Sequence, residues 1–352
     1  MSGPLYVPVL PARPHAVAAY RRLRPDVRAA LMPLWNLPPL PAVGSARLEA
    51  AVRKFVAPVS GVHRHHDGWI DAPFAEDAQI SGLADALSAY SELGRLRPVT
   101  GPERTEAQQT AAVEVARRCG CGVGVRVRVA TEWDGGTAEA VRMLLARACS
   151  TVPVDLMLDM SSVLGDRPGA GKEALRALDA LFALAPWRTA AVLGGGFPRV
   201  TGDMLEQGLR EEPRTDWHMW SEIRASGRTY LPSLGYGDYG VQPVGALAQV
   251  PQPDRKGGPP WGFLRYTTGN AFLLCKVLTR GTERIAVNRR AARQILGLPE
   301  FREATGGAGE HWLRACADGP ATSGRGTGGP TEWLWVGNVQ HMTYVVRCLS
   351  GS

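Results

Sequence analysis

Short apolar runs alternate with segments of helical periodicity along most of this chain. The series starts with LYVPVL at residues 5–10, before the helix-like HAVAAYRRL, and ends with TYLPSLGYG at residues 229–237. Between them, further runs that each precede a helix-like segment lie at residues 32–38, 69–73, 96–101, 124–130, 154–160 and 189–195. The pattern makes about eight strand-then-helix units, which predict parallel strands joined by crossover helices.

Eight such units in about 250 residues match the size of a (βα)8 TIM-barrel-like fold. A doubly wound open sheet is the alternative, but its central strands would be apolar on both faces. Here several strands carry polar residues at one parity, as in the pairs Arg126 and Arg128 or Asp155 and Asp159. A closed barrel can hold such residues on its inner face, so we predict a barrel over residues 1–250.

The strand GVGVRVRVA at residues 122–130 shows this alternation most clearly. Its valines occupy one face, while Gly124, Arg126 and Arg128 occupy the other. In a barrel the valines would pack outward against helices and the arginines would face the interior. Gly124, lacking a side chain, would leave room beneath them.

Residues 251–352 depart from the repeating pattern. WGFLRYTTGNAFLLCKVL is typical of two strands or of a strand and a helix, NRRAARQILGL of a helix, and TEWLWVGNVQHMTYVVRCL of a strand followed by a helix. A glycine-rich stretch at 318–329 predicts a mobile loop. We expect this part to be a C-terminal extension that completes or caps the barrel and packs on the same domain.

Composition narrows the classes of partner. The net charge of +7 comes from arginines that are scattered along the chain, which fits an anionic partner better than a clustered nucleic-acid surface. Nucleic acid or a protein remains open as a partner. The six cysteines form no C-x-x-C pair, which indicates free thiols. With no signal sequence and no apolar run of membrane-spanning length, we expect a cytoplasmic protein without membrane contact.

Three motifs carry weak signals. GDRPGAGKE at 165–173 fails the P-loop pattern, because Glu173 stands where a hydroxyl should bind magnesium. HRHHD at 63–67 lies before a predicted strand, away from the end where barrel sites form, so a solvated loop is favoured over a metal site. The three glycines 194–196 follow the seventh strand, where they could cradle phosphate or form a turn that needs positive φ.

The strongest functional signal is the position of polar residues along the predicted strands. Polar residues fall at the carboxyl ends of the predicted strands, where the active sites of such barrels lie. They are Arg13, Asn36, Asp71, Arg126, Arg128, Asp159, Asp238 and Tyr239. Because buried charges require partners, arginines that face carboxylates either neutralise the barrel interior or bind an anion through their forked N–H groups.

The chain resembles the phage-type beta protein family over nearly its whole length. The resemblance is carried by YVPVLPARPHAVAAYRRLRPDVRAALMPLWNLPP, VDLMLDM, GYGDYG, LRYTTGNAFLLCK and the closing HWLRACADG…TEWLWVGNVQHMTYVVRCL. It implies a barrel-like single domain and occurrence in bacteria and phages, often beside genes linked to phage conflict. It implies no particular reaction.

The resemblance also singles out residues of this chain. They are Arg13, Asp71, Arg126, Arg128, Asp159, Asp238, Tyr239, Arg265, Tyr266, Asn338 and His341. The family usually has an acidic residue where this chain has Asn36, and often a histidine where it has Gln340. If those positions act in catalysis elsewhere, this chain is an altered or inactive member.

Three functional hypotheses follow. The first is a hydrolase or lyase acting on a phosphate-bearing or carboxylate-bearing substrate. Its catalytic candidates are Asp71, Asp159, Asp238 and His341, and a carboxylate among them could hold a divalent metal. Its ligand-binding candidates are Arg13, Arg126, Arg128, Tyr239, Arg265, Tyr266 and Asn338. The second is a protein that binds an anion or nucleotide without turnover, and the third is a partner subunit with a charge-balanced barrel interior.

Overall fold

The barrel is closed by eight parallel strands, as the sequence predicted. The structure, a computed structural model, describes residues 4–40, 45–148, 152–206, 208–250, 258–302, 306–319 and 326–351. The barrel strands are β1 (Tyr6–Pro11), β2 (Leu34–Asn36), β3 (Gly68–Asp71), β4 (Leu96–Thr100), β5 (Val123–Arg128), β6 (Val154–Ser162), β7 (Thr189–Gly195) and β9 (Leu234–Asp238). β9 pairs with both β7 and β1 and so closes the barrel.

Helices follow the strands around the outside of the barrel. They are α1 (Pro14–Arg21), α2 (Pro25–Ala29), α3 (Ser45–Val62), α4 (Ile80–Gly94), α5 (Glu106–Cys119), α6 (Gly135–Ala148), α7 (Ala170–Leu181) and α8 (Thr215–Ala225). Val125, Val127 and Val129 belong to the large apolar cluster that these helices share with the strands. The outward-facing valines of β5 are therefore confirmed.

The barrel interior has a polar layer at each end and an apolar layer between them. Near the amino-terminal ends of the strands, Asp155 is fully buried and accepts hydrogen bonds from Trp69 Nε1 at 2.9 Å and Arg188 Nε at 2.8 Å. Val99 and Met157 belong to the apolar cluster of inward-facing side chains above it. This cluster fills the barrel, so any site must lie above it, at the carboxyl ends of the strands.

The C-terminal extension forms a second sheet and a group of helices. Strands β10 (Trp261–Thr267) and β11 (Ala271–Leu278) form an antiparallel pair, and β8 (Leu209–Pro213), from the connection between β7 and α8, pairs with β11. Helices α9 (Arg284–Leu296), α10 (Ala308–Asp318) and α11 (Pro330–Ser350) follow. The barrel and the extension thus share one sheet.

One element of the extension differs from the prediction. Residues 331–349 were expected to form a strand and then a helix, but all lie within α11. This helix packs against α1, β1 and β10 and is buried on several sides, so its apolar positions do not show a single helical stripe. Residues 320–325 of the predicted mobile loop, and Cys149, lie outside the described residues.

The other cysteines, Cys119, Cys121, Cys275, Cys316 and Cys348, are free thiols, as expected. In the part of the chain that the structure describes, no helix is both long and apolar enough to cross a membrane.

Candidate functional site

Arg126 is the centre of the polar layer at the mouth of the barrel. Its Nε donates to Asp159 Oδ2 at 2.9 Å, and its Nη1 donates to Asp71 Oδ2 at 2.8 Å and to Asn36 Oδ1 at 3.1 Å. Its Nη2 donates to the Tyr239 hydroxyl at 2.9 Å. One guanidinium thus joins the ends of strands β2, β3 and β6 and the residue that follows β9, which confirms that Arg126 faces the interior.

The Asp159 carboxylate is held from several directions. Besides Arg126, the Tyr239 hydroxyl donates to it at 2.7 Å, and the backbone N–H of Ser161 donates to Oδ1 at 2.9 Å. Ser161 adopts a φ of 58°, in the left-handed region that non-glycine residues rarely use, within the irregular pairing of β6 and β7 between Asp159 and Ser162. This bulge turns the Ser161 N–H toward the carboxylate.

Asp71 connects Arg126 to a second arginine that the sequence pattern did not single out. Arg104, in the loop after β4, donates through Nη2 to Asp71 Oδ1 at 3.3 Å and through Nη1 to the Ala72 carbonyl at 3.4 Å. Two arginines therefore face two carboxylates, and the buried layer is neutral. Asn36 accepts a hydrogen bond from Arg126 without adding a charge to the layer.

The network stabilises the charged form of Arg126. Burial alone would lower the pKa of this guanidinium, but Tyr239 and the charges of Asp159 and Asp71 raise it well above its usual value. Burial, together with the Asp159 charge, raises the pKa of the Tyr239 hydroxyl, so it stays protonated and donates. With every N–H direction of Arg126 occupied, this side chain has no free donor for a ligand.

Arg128 and Glu103, next to the buried Arg126 layer, are partly open to solvent. The Arg128 side chain is 46% exposed, and its nearest carboxylate contact is to Asp159 Oδ2 at 3.9 Å. The Glu103 side chain is 40% exposed and lies 3.5 Å from Arg104 Nε. Burial and the Asp71 charge raise the pKa of Glu103, against the opposing effect of Arg104. The prediction that Arg128 faces the interior is wrong. Arg128 is the last residue of β5, and its side chain extends toward solvent at the carboxyl end of the strand.

The chain brings Glu103 close to β5 because Gly101 has no side chain. A Cβ at Gly101 would collide with the Arg126 carbonyl and would lie 2.7 Å from Glu103 Oε2. Glu103 and Arg104 were missed by sequence reasoning, since both lie in a loop whose path has no periodic signal. The sequence GPER after β4, which is typical of a turn, was the signal that could have pointed to these two residues.

Asp238 and His341 lie in a different network, outside the barrel wall. Asp238 accepts hydrogen bonds from the Tyr6 hydroxyl at 2.6 Å and from the Gly240 N–H at 2.8 Å, and His341 Nε2 lies 2.9 Å from its Oδ2. His341 Nδ1 lies 2.9 Å from Thr267 Oγ1. The expected convergence of Asp238 with Asp71 on one mouth is therefore wrong, because the side chain of Asp238 points outward from β9 toward α11.

The Asp238 network is sealed. Burial acts to raise the pKa of Asp238, but the charge of His341 and the hydrogen bonds from His341 and Tyr6 outweigh it and lower the pKa to about 2. Thr267, His341 and Asp238 are aligned like a nucleophile, base and acid, yet they are all essentially inaccessible to solvent. The arrangement joins α11 and β10 to the barrel through buried contacts.

The remaining predicted residues lie in the extension or beside it. The Tyr266 hydroxyl accepts from the backbone N–H of Arg302 at 3.0 Å, away from the mouth. Asn338 lies against Gly240, and Gln340 bonds both backbone groups of Thr267, at 2.8 and 3.0 Å. Gln340 thus has a structural role in this chain.

Arg13 and Arg265 lie beside segment 240–249, which follows β9 and which we call the cover segment. Val244 of this segment packs against the inward-facing apolar cluster, and Leu247 belongs to it. Arg13 donates to the Gln249 carbonyl, and Arg265 donates to the Val241 carbonyl at 3.1 Å. Both arginines therefore bind backbone carbonyls of the cover segment rather than groups of the Arg126 network.

The three weak motifs have structural explanations. Arg167 of GDRPGAGKE donates to the carbonyls of Val129 at 2.9 Å and Thr131 at 2.7 Å, and also to Met160, so the motif ties the ends of β5 and β6 together. Gly195 and Gly196 have no positive φ and are required by space, since a Cβ there would meet Val244 and Asp216.

In HRHHD, His63 is buried, accepts from Trp35 Nε1 at 2.8 Å and contacts the His66 carbonyl at 2.9 Å. Within the described ranges, no three His, Cys, Asp or Glu side chains come together as metal ligands.

The fold and the mouth together define a class. The chain is a β/α-barrel protein with a neutral, buried arginine–carboxylate layer at the carboxyl ends of its strands, beside which Arg128 and Glu103 are partly open to solvent. The family model described as Beta protein matches residues 6–347, so the chain belongs to the Beta protein family. No curated protein matches it.

Proposed function

We propose that the barrel mouth binds an anionic ligand that carries a phosphate or carboxylate group, with Arg128 as the group that contacts it. The observation that carries the proposal is the half-exposed Arg128 side chain, whose only carboxylate neighbour among the described residues is the fully engaged Asp159, with Oδ2 3.9 Å from Arg128 Nε. Arginine recognises such anions through two parallel N–H donors. We assign Asp71 and Asp159 the positioning of Arg126 rather than contact with the ligand.

Glu103 is the group at this mouth that we propose for proton transfer, if the ligand is turned over. A carboxyl group with a raised pKa, open to solvent beside a cation, is suited to general acid–base chemistry. The reaction would then be hydrolysis or elimination on a phosphate-bearing substrate. A role in conflict between phage and host, in the cytoplasm, is proposed on the family resemblance alone.

Sulfate binding tests the proposal, because sulfate does not titrate near neutral pH. Calorimetric titration at constant ionic strength should show that Arg128→Gln weakens sulfate binding about tenfold or more, as expected for loss of a charge-assisted hydrogen bond. Arg290→Gln is the matched control, since Arg290 is an exposed arginine on α9. Equal affinity in wild type and Arg128→Gln would overturn the assignment of Arg128.

Turnover is tested separately. Incubation with a panel of nucleotides, followed by phosphorus NMR, should show product with the wild type and none with Glu103→Gln, while sulfate affinity of that variant is retained. Binding without product in the wild type would favour a binding protein instead.

The second candidate is a non-catalytic binding protein or partner subunit with a charge-balanced interior. It is favoured by the complete engagement of Arg126 with Asp71, Asp159, Asn36 and Tyr239. Under this candidate, Arg126→Ala and Asp159→Ala reduce only the fraction of protein that folds, and the folded part retains its biological effect. The sulfate affinity of Arg128→Gln then equals that of the wild type.

A further inference from the structure

A cavity lined by basic side chains lies at the amino-terminal end of the barrel, the end opposite the mouth. The segments that precede β2 and β3 form it, and its volume is about 210 Å³. This is far more than the roughly 10–15 Å³ that one water molecule needs. Its described lining consists of Arg21, Arg28, Gly61, Val62, Arg64, His65 and His66. Five of these seven residues are basic and none is acidic, so the cavity has a single sign of charge.

Arg28, on α2, is fixed at this cavity by the backbone and by an aromatic ring. Its Nη2 donates to the carbonyls of Arg21 at 2.9 Å and Leu23 at 3.1 Å, and its guanidinium carbon lies 5.5 Å from the centre of the Tyr20 ring. Tyr20 in turn stacks on His63, with 4.9 Å between the ring centres. These contacts hold α1 and α2 against the HRHHD segment, so the arginines and the histidines of the cavity keep their relative positions.

The positive charge of the cavity is not balanced by an acid. In the part of the chain that the structure describes, the three arginines of the lining form no ion pair with a carboxylate. Asp67, the acid that ends the HRHHD segment, pairs instead with Arg97 and, at 3.8 Å, with Arg95. A concave surface lined by one sign of charge concentrates ions of the opposite sign.

His66 shows that the charge of the α2 arginine reaches the histidines. Burial is the first cause that lowers the pKa of His66, and the charges of Arg28, His65 and Arg95 lower it further, against the opposing effect of Asp67. Three of the four charged groups that act on His66 are therefore positive. The two sides of the cavity, α2 and the HRHHD segment, are close enough to contact one ligand together.

We propose that this cavity binds a ligand with two linked phosphoryl groups, held by its three arginines and two histidines. Arginine binds phosphoryl oxygens through pairs of N–H donors. One phosphoryl group carries about 1.5–2 negative charges at pH 7, which is less than the charge of three arginines, so a second group completes the neutralisation. A Cβ at Gly61 would have nothing within 4 Å, which shows open space on this side of the cavity. The site is separate from Arg128 and does not depend on the function proposed for the mouth.

Calorimetric titration of the whole chain with pyrophosphate tests the site, at constant pH and ionic strength and without divalent cations. The titration is made in the Arg128→Gln chain, so that binding at the mouth does not contribute. Adding Arg64→Gln should weaken pyrophosphate binding about tenfold or more, because charge-assisted hydrogen bonds are lost, and the fold should persist because Arg64 is exposed. Adding Arg290→Gln, which replaces an exposed arginine on α9, is the matched control and should leave the affinity unchanged.

Histidine NMR shows where the ligand binds. At constant pH, pyrophosphate should move the imidazole signals of His65 and His66, because an anion beside them favours their protonated forms, and Arg64→Gln should remove this change. His311, exposed on α10, is the control in the same spectrum.

Sulfate, which has one tetrahedral group, should bind this cavity at least tenfold more weakly than pyrophosphate, and equal affinities would overturn the assignment of a diphosphate. Absence of pyrophosphate binding in the Arg128→Gln chain, or equal affinity with and without Arg64→Gln, would overturn the site itself and leave the mouth proposal untouched.

Discussion

At the scale of single residues, Gly124 makes the packing beneath the Arg126 layer possible. A Cβ at this position would collide with Met157 Cε and would lie 2.9 Å from Val99 Cγ2 and 3.2 Å from Trp69 Cδ1. The absence of a side chain lets the apolar layer rise against β5 and support the arginine above it. The sequence pattern anticipated this role, because Gly124 shares the parity of Arg126.

We therefore expect Gly124→Ala to lower the free energy of unfolding by about 1–3 kcal/mol, the usual cost of overpacking a filled core. Urea denaturation measures the change. Gly61→Ala is the control, since a Cβ at Gly61 has nothing within 4 Å and the residue lies in α3. Equal stability of Gly124→Ala and wild type would show that the interior is less filled than the structure indicates.

The alternation of the two strand faces could be read from the sequence. Which of the two faces points into the barrel could not always be deduced. The inward direction of Arg126, Asp71 and Asp159 followed from alternation along β3, β5 and β6. The same reasoning failed for Asp238, because the neighbouring inward positions of β9 are the glycines 235 and 237, which give no pattern of side chains to read. Arg104 and Glu103 escaped because loop geometry depends on tertiary contacts rather than on a period.

At the scale of elements, the ends of β5 and β6 depend on one arginine from the loop before α7. Arg167 donates to carbonyls that follow or end both strands, including Val129, Thr131 and Met160. These carbonyls lie beyond the regular ladder, so Arg167 satisfies acceptors that the sheet leaves open. These hydrogen bonds of Arg167 lie next to both Arg128 and Asp159. They should therefore keep the carboxyl ends of β5 and β6 in place.

Arg167→Ala should leave the barrel folded but make the segments that follow β5 and end β6 more mobile. Hydrogen–deuterium exchange should show faster exchange in peptides covering 129–134 and 160–166, and the free energy of unfolding should fall by about 1–3 kcal/mol from the lost hydrogen bonds. Arg176→Ala on the exposed face of α7 is the control, since the Arg176 side chain is 69% exposed and forms a salt bridge with Glu173. Unchanged hydrogen–deuterium exchange in peptides 129–134 and 160–166 would contradict the proposed role of Arg167 in joining the ends of β5 and β6.

Element types were predictable in the repeating part and less so in the extension. The crossover pattern specified the barrel because each strand was followed by its helix. The extension has no such repeat, and α11 is covered by both the barrel and β10, so the periodicity that marks a surface helix is absent. The pairing of β8 with β11 joins residues far apart in the chain and has no local signature.

At the scale of the whole molecule, we propose that the barrel, residues 1–250, and the extension, residues 251–352, unfold together. The sheet β10–β11–β8 includes a strand from each, and the His341–Asp238 contact is buried between them. Calorimetry should therefore show a single transition. Two separated transitions would show that the extension is an independent unit.

Stability of the whole molecule should also fall in mild acid. Burial lowers the pKa values of His15 and His63 from 6.5 to about 4, so their neutral forms stabilise the fold above pH 6.5. Between pH 6.5 and 4 the unfolded chain binds more protons, and the free energy of unfolding should decrease by up to about 1.4 kcal/mol per pH unit for each histidine.

Urea denaturation in chloride buffers at several pH values measures this slope. His63→Gln should make it shallower, whereas His65→Gln should not, because His65 is exposed. An identical slope in wild type and His63→Gln would contradict the assignment.

In the proposed function, Arg128, supported by a neutral buried layer, is the anion-binding group of the mouth. The most direct test of this proposal is a crystal of the whole chain soaked in selenate, whose selenium is located by anomalous scattering. We predict a peak within hydrogen-bonding distance of the Arg128 guanidinium, at the carboxyl ends of β5 and β6, with the Arg126 contacts unchanged. A well-ordered Arg128 without selenate, in crystals where no neighbouring molecule covers the mouth, would contradict the account.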